Sequence, residues 1–162
     1  MIEASGVEGP CDWLVTAGRA ADAVALARAQ GLTHGQADLH PVPRLTQHDY
    51  DHLLWSCDLN FVRGEDSLVR ALWAGRPFVW HIYPQHDNAH HAKLEAFLDW
   101  LQAPASLRDF HRAWNGITAP GSAWPGWAVV RGWGDCVRAA RARLLAQPDL
   151  VSQLLGFVTE KR

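Results

Sequence analysis

The stretch Asp58 to Gln85, DLNFVRGEDSLVRALWAGRPFVWHIYPQ, decides the fold of this chain. Asp58 to Arg63 has the apolar, β-favouring texture of a buried strand, and Gly64 then permits a turn that other residues resist. Asp66 or Ser67 is placed to cap a helix running from Ser67 to Ala74. Pro77 to Tyr83 reads as the next strand. A strand, a glycine turn, a helix and a second strand make one β-α-β unit, and parallel strands joined this way belong to a sheet covered by helices on both faces. Open α/β sheets bind ligands beyond the carboxyl ends of their strands, which is where RGEDS falls. The first amides of the helix lack internal partners and carry the positive end of its dipole, so they suit a diphosphate. Arg63 adds a permanent charge of two-pronged geometry.

Upstream, Trp13 to Ala17 reads as a short strand, Gly18 as a turn, and Ala20 to Gln30 as an alanine-rich helix closed by Gly31. Leu32 to Val42 suggests a second strand, interrupted by polar residues and followed by Pro43. Thr46 is positioned to cap a helix Gln47 to Cys57, with Tyr50, Leu53, Leu54 and Cys57 spaced to face a core. Beyond Tyr83 the pattern turns helical: His91 to Leu101, Leu107 to Trp114, Trp127 to Leu145 and Asp149 to Thr159, separated by Pro104, the APGSAWPG stretch and Pro148. The expected architecture is a Rossmann-like parallel α/β sheet with a helical C-terminal tail.

At 162 residues and 18.0 kDa the chain fits one domain of residues 1–162, domains commonly running to about 100 to 150 residues. A net charge of −2 argues against a general nucleic-acid binder. Cys11, Cys57 and Cys136 are odd in number and lack CxxC spacing, which suits inert thiols in a reducing cytoplasm. No apolar run approaches the ~20 residues of a membrane span, and the opening MIEASGVEG lacks a signal-peptide pattern. Most of the nine tryptophans are expected in the core, since large aromatics dominate burial in small domains.

The order RGEDS, VRALWAGRPFVWHIYPQ and KLEAFLDW resembles the C-terminal half of the bacterial protein-arginine rhamnosyltransferases that modify translation elongation factor P. The resemblance implies the donor-binding, C-terminal domain of a GT-B glycosyltransferase, with an N-terminal domain that these residues do not include. It implies inverting transfer of rhamnose from dTDP-rhamnose to an arginine of elongation factor P, without a metal or other cofactor. On that resemblance Arg63, Glu65 and Asp66 position the donor and stabilise the leaving diphosphate, while Gln47, Gly64, Ser67, Tyr83 and Gln85 bind it. Tyr83 matches a tyrosine that contacts the diphosphate, and Gln47 a glutamine near the thymidine. Arg44 departs from the aromatic or apolar residue expected for base stacking. The aspartate that orients the acceptor guanidinium belongs to the N-terminal domain of the family, so this chain is expected to bind donor without completing transfer. In GT-B enzymes the last helix crosses to the other domain, which would leave the face of Leu150, Leu154, Leu155 and Val158 unpaired; packing on its own sheet is the alternative. Other readings of the whole chain are a non-catalytic nucleotide-sugar-binding or partner-binding module, or a truncated fragment.

Carboxylates repel phosphate, so Glu65 and Asp66 are expected to accept sugar hydroxyls, pair with an arginine or cap the helix. Asp49 and Asp51 form a DYD triplet, which helix-start carboxylates explain without a metal. His81, His86, His90 and His91 lie close together, but Pro84 and Asn88 favour a loop over a zinc-binding helix; His90 or Asn88 is the better candidate for a place near the phosphate rim.

Overall fold

The computed structural model describes residues 6–31, 37–119 and 124–160. After a short 3-10 turn, β1 (Cys11–Thr16), α1 (Arg19–Ala29), β2 (Ala37–Val42), α2 (Gln47–Ser56), β3 (Asn60–Arg63), α3 (Glu65–Ala74) and β4 (Phe78–His81) alternate. Four helices follow: α4 (Ala89–Leu101), α5 (Ala105–Trp114), α6 (Trp127–Leu145) and α7 (Leu150–Glu160). Element types match the reading of the sequence, with ends shifted by a few residues; the start of the expected second strand, 32–36, lies outside the described residues. None of the described helices is long and apolar enough to cross a membrane.

All strand pairing is parallel, but the ladders form two separate pairs rather than one sheet. β1 pairs with β2, Trp13 opposite Leu39, and β3 pairs with β4, Val62 opposite Trp80. The two pairs meet where the Trp13 and Phe61 rings stack, centroids 5.4 Å apart.

β4 is the centre of the core. Phe78, Val79 and Trp80 are essentially inaccessible, the continuous apolar run expected of a parallel strand covered on both faces. No fifth strand extends it among the described residues, because α5 supplies side chains instead. Trp80 N–H donates to His111 Nε2 at 3.0 Å. Asn115 accepts from Ile82 N–H through Oδ1 at 3.0 Å and donates through Nδ2 to the Trp80 carbonyl at 2.9 Å. Buried backbone groups must find partners, and these two residues end the sheet by providing them. His111 is held neutral in this role: burial drops its pKa to about 4.

Leu94, Leu98 and Leu101 of α4, Leu107 of α5 and Val130, Trp133 and Val137 of α6 complete the core. Trp80 and Trp133 are fully buried, Trp114, Trp124 and Trp127 pack partly buried against the core, and Trp55, Trp73 and Trp100 are exposed, so the expectation of a tryptophan-rich core holds for five of the nine. Helix α2 buries Leu54 alone among the four residues expected inward. Burial raises the thiol pKa of Cys57 and Cys136, which makes them poor nucleophiles. Helix α7 buries none of its residues; the alternative in which it packs on its own sheet is not adopted.

Candidate donor-binding site

The Gly64 turn sets the site. Gly64 has φ 78° and ψ 169°, a combination almost confined to glycine. It is itself the N-cap of α3, without a side-chain cap, so neither Asp66 nor Ser67 caps the helix as expected. Because the helix opens two residues earlier, the amides of Glu65, Asp66 and Ser67 precede its first internal bond, Leu68 N–H to Gly64 O at 3.2 Å. These amides stand at the positive end of the helix just after β3, the one of Glu65 interacting with its own carboxylate.

The carboxylates nearby are held by cations. Asp66 accepts from Arg70 Nε at 3.1 Å, and Arg70 Nη1 also grips both oxygens of Asp51 at 2.9 and 3.0 Å. Glu65 Oε1 takes Lys93 Nζ at 2.7 Å, and this hydrogen bond lowers the Glu65 pKa below the usual carboxylate range. Asp66 therefore satisfies the expected arginine pairing, whereas the partner of Glu65 is a lysine from α4. Asp51 serves Arg70, and Asp49 accepts from the Thr46 hydroxyl at 2.7 Å while its amide donates to that hydroxyl at 3.1 Å. The DYD carboxylates thus diverge into separate interactions. Among the described residues no group of three or more His, Cys, Asp or Glu side chains is disposed to hold a metal ion.

Arg63 differs from these cations. It makes no ion pair among the described residues, its Nε is buried without a hydrogen-bond partner, and its guanidinium stands 4.9 Å from the centre of the Tyr83 ring. Its field, after burial itself, helps depress the pKa of His81. Tyr83 is 47% exposed and lies against Gly64, so Arg63, Gly64 and Tyr83 form one cluster at the carboxyl ends of β3 and β4.

Next to it a cleft of about 400 Å³ opens between the end of β1, the segment after β2 and the start of α3. Thr16 and Ala17 follow β1, Pro43 to Gln47 bring in the segment between β2 and α2, and Tyr50, Asp66, Ser67 and Arg70 complete the wall. Gln47, Asp66 and Ser67 thus share the cleft, as the sequence suggests, and Arg44 lines it too. Glu65 does not line the cleft and pairs with Lys93 instead. Arg63, Gly64 and Tyr83 do not line it either, and neither does Gln85, whose side chain is exposed and whose backbone N–H donates to His90 Nδ1 at 3.0 Å. His90 is buried and anchors the loop, and Asn88, at φ 58°, precedes α4. A larger cavity of about 620 Å³ lies toward the other end of α3, walled by Trp55, Trp73, Arg76 and Arg141; it contains none of the nominated binding residues and shares Arg70 with the smaller cleft. Chemistry favours the smaller cleft, which has the free amides. Sequence reasoning missed Thr16, Tyr50, Arg70 and Lys93 as members of the site; only Lys93 left a signal, being one of two lysines in the chain.

The family model described as "Elongation-Factor P (EF-P) rhamnosyltransferase EarP" matches residues 3–159. A protein-arginine rhamnosyltransferase of Pseudomonas putida is 43% identical over 164 residues, covering 91% of this chain and 43% of the relative. Its namesake in Pseudomonas aeruginosa is 47% identical over 128 residues, covering 74% of this chain and 34% of that protein. A solved structure described as the structural basis for EarP-mediated arginine glycosylation of translation elongation factor EF-P superposes with a TM-score of 0.75 at 36% identity. It covers 99% of this chain and 55% of the solved one. The chain thus spans less than half the length of these curated relatives. With an α/β fold shared at that identity and a family match over nearly its whole length, this chain belongs to the elongation factor P rhamnosyltransferase family, EarP.

Proposed function

We propose that these residues form the donor-binding half, the C-terminal GT-B domain, of an inverting glycosyltransferase that moves rhamnose from dTDP-rhamnose to an arginine of elongation factor P. The observation that carries this reading is Arg63, a part-buried guanidinium with no carboxylate partner among the described residues, beside the opening amides of α3. A buried charge left unneutralised is costly unless something binds it, and a diphosphate supplies both the charge and the acceptors.

In this reading the pyrophosphate rests on the amides of Glu65, Asp66 and Ser67. Arg63 neutralises the charge that grows on the leaving group as the glycosidic bond breaks. Tyr83 stacks on Arg63 and holds its plane toward the phosphates. The nucleoside occupies the cleft beside Gln47, with the Arg44 guanidinium as a planar surface for the base. Inversion implies direct displacement by the acceptor nitrogen. A guanidinium is protonated at neutral pH, so a carboxylate must orient it and accept its proton; that group lies in the remaining length of the relatives. The protein is cytoplasmic, with nucleotide sugar and elongation factor P as its partners.

Calorimetry with thymidine diphosphate tests the donor site. The folded chain is expected to bind, with affinity falling about tenfold or more on Arg63→Ala, since a hydrogen bond to a charged group contributes about 1.5–3 kcal/mol. Absence of heat, or affinity unmoved by both Arg63→Ala and Tyr83→Ala, overturns the site. Rhamnosyl transfer by residues 1–162 alone overturns the division of labour.

A further inference from the structure

We propose that Lys93 is a positioning residue for the donor site, which acts by cancelling the charge of the Glu65 carboxylate beside the opening turn of α3. The inference rests on the donor-site reading above and adds a residue to it. Glu65 is the first residue of α3, and its carboxylate lies close enough to its own opening amide to be stabilised by it, so a negative charge stands where an anion would be seated. Nothing within α3 resolves this conflict. Arg70, one turn further along, is committed to Asp66 and Asp51. Lys93 reaches across from α4 and closes on Glu65 Oε1 at 2.7 Å.

Lys93 is aimed rather than free to wander. It rises from the first half of α4 beside Leu94, which is fully buried, and its Nζ stands 5.7 Å from the centre of the Trp80 ring. Trp80 is itself 1% exposed. The ammonium therefore has two attractions, a ring quadrupole and a carboxylate, that fix the direction of the stem.

The pair is a poor candidate for holding the fold together. Both side chains are about half exposed, 52% and 57%, and exposed ion pairs contribute little to stability. Its consequence is local: with Lys93 in place the opening turn of α3 presents amides and Arg63 to an anion, and without it an unpaired carboxylate stands at the same spot. Lys93 also keeps Glu65 ionised, so the neutral acid is not an escape from the conflict.

The experiment is a charge cycle read by thymidine diphosphate affinity on the 162-residue chain, with melting temperature recorded for every variant. Lys93→Ala is expected to weaken binding about threefold to tenfold, the scale of one uncompensated charge a few ångströms from a multivalent anion in screened solvent. Lys93→Arg restores most of the loss, because the charge is kept. Glu65→Gln in the Lys93→Ala background brings affinity back to within about twofold of the unaltered chain, and melting temperatures stay level throughout. Unchanged affinity in Lys93→Ala overturns the proposal. So does a double variant as weak as Lys93→Ala, which would make Lys93 a direct phosphate ligand, or a lowered melting temperature that tracks the lost affinity, which would make it structural. If the unaltered chain binds no thymidine diphosphate, the donor site fails and this inference with it; binding by that chain with an inert Lys93→Ala removes only the inference.

Discussion

A Cβ placed on Gly64 meets the Tyr83 ring at 3.0 Å from Cε2 and 3.2 Å from the hydroxyl oxygen. Gly64 therefore does two things at once: it adopts a backbone conformation closed to other residues, and it leaves room for the ring that stacks on Arg63. Gly64→Ala is expected to cost on the order of 2 kcal/mol in backbone strain and ring displacement, which lowers the melting temperature by about 4–8 °C. Thymidine diphosphate affinity should fall by more than that loss of stability alone produces. A variant with wild-type melting and binding would show that the turn relaxes freely.

Charge alone is not what Arg63 contributes. Its planar group lies 4.9 Å from the Tyr83 ring centre and its Nε is enclosed, a geometry that a lysine ammonium does not reproduce. Arg63→Lys is expected to retain no more than about a tenth of the affinity for thymidine diphosphate. Calorimetry giving near-full affinity would reduce Arg63 to a point charge.

Stability should depend on pH through His111. Its folded pKa of about 4 lies below the ordinary value near 6.5, so the unfolded chain binds the proton more readily. The contribution is fully present above pH 6.5 and is lost as the pH falls toward 4, amounting to on the order of 3 kcal/mol. Urea midpoints measured between pH 7 and pH 4.5 should fall steadily in the parent chain. His111→Gln should start lower, having disturbed the bond to Trp80 N–H, and show a shallower decline. Parallel slopes would assign the effect to other groups.

Helix α7 should be dispensable for folding. Leu150, Val151, Leu154, Leu155 and Val158 are each more than half exposed, so removing residues 150–160 deletes apolar surface without opening a cavity. The melting temperature is expected to change by less than about 2 °C, with reduced self-association in light scattering. A large drop would mean that the helix packs on this domain in solution.

Much of the geometry of the candidate site is legible in the sequence because its signals are local. Gly64 between an apolar strand and an amphipathic helix announces the turn, and Thr46 three residues before Asp49 announces the cap of α2, since both effects act within one turn of chain. The cap of α3 was misplaced because side-chain capping by Asp66 or Ser67 competes with a glycine that can take the role in a strained conformation of its own. Gln85 was drawn toward the cleft by its place in YPQ, but a strand end sets where the backbone goes, not where a side chain beyond a proline points. Resemblance in RGEDS and YPQ pointed to the family, and Lys93 could not be assigned from spacing, since no periodicity connects positions 65 and 93.

By itself the sequence determined the order and type of the elements, the parallel pairing they imply and the position of an amide-rich turn, because these follow from propensity and pattern along the chain. The tertiary structure alone decided which charges cancel. Arg70 goes to Asp66 and Asp51, Lys93 to Glu65, and Arg63 is left without a counterion among the described residues. Such pairing depends on distances of a few ångströms between separate elements, and Coulomb energy at that range is fixed by packing rather than by sequence separation.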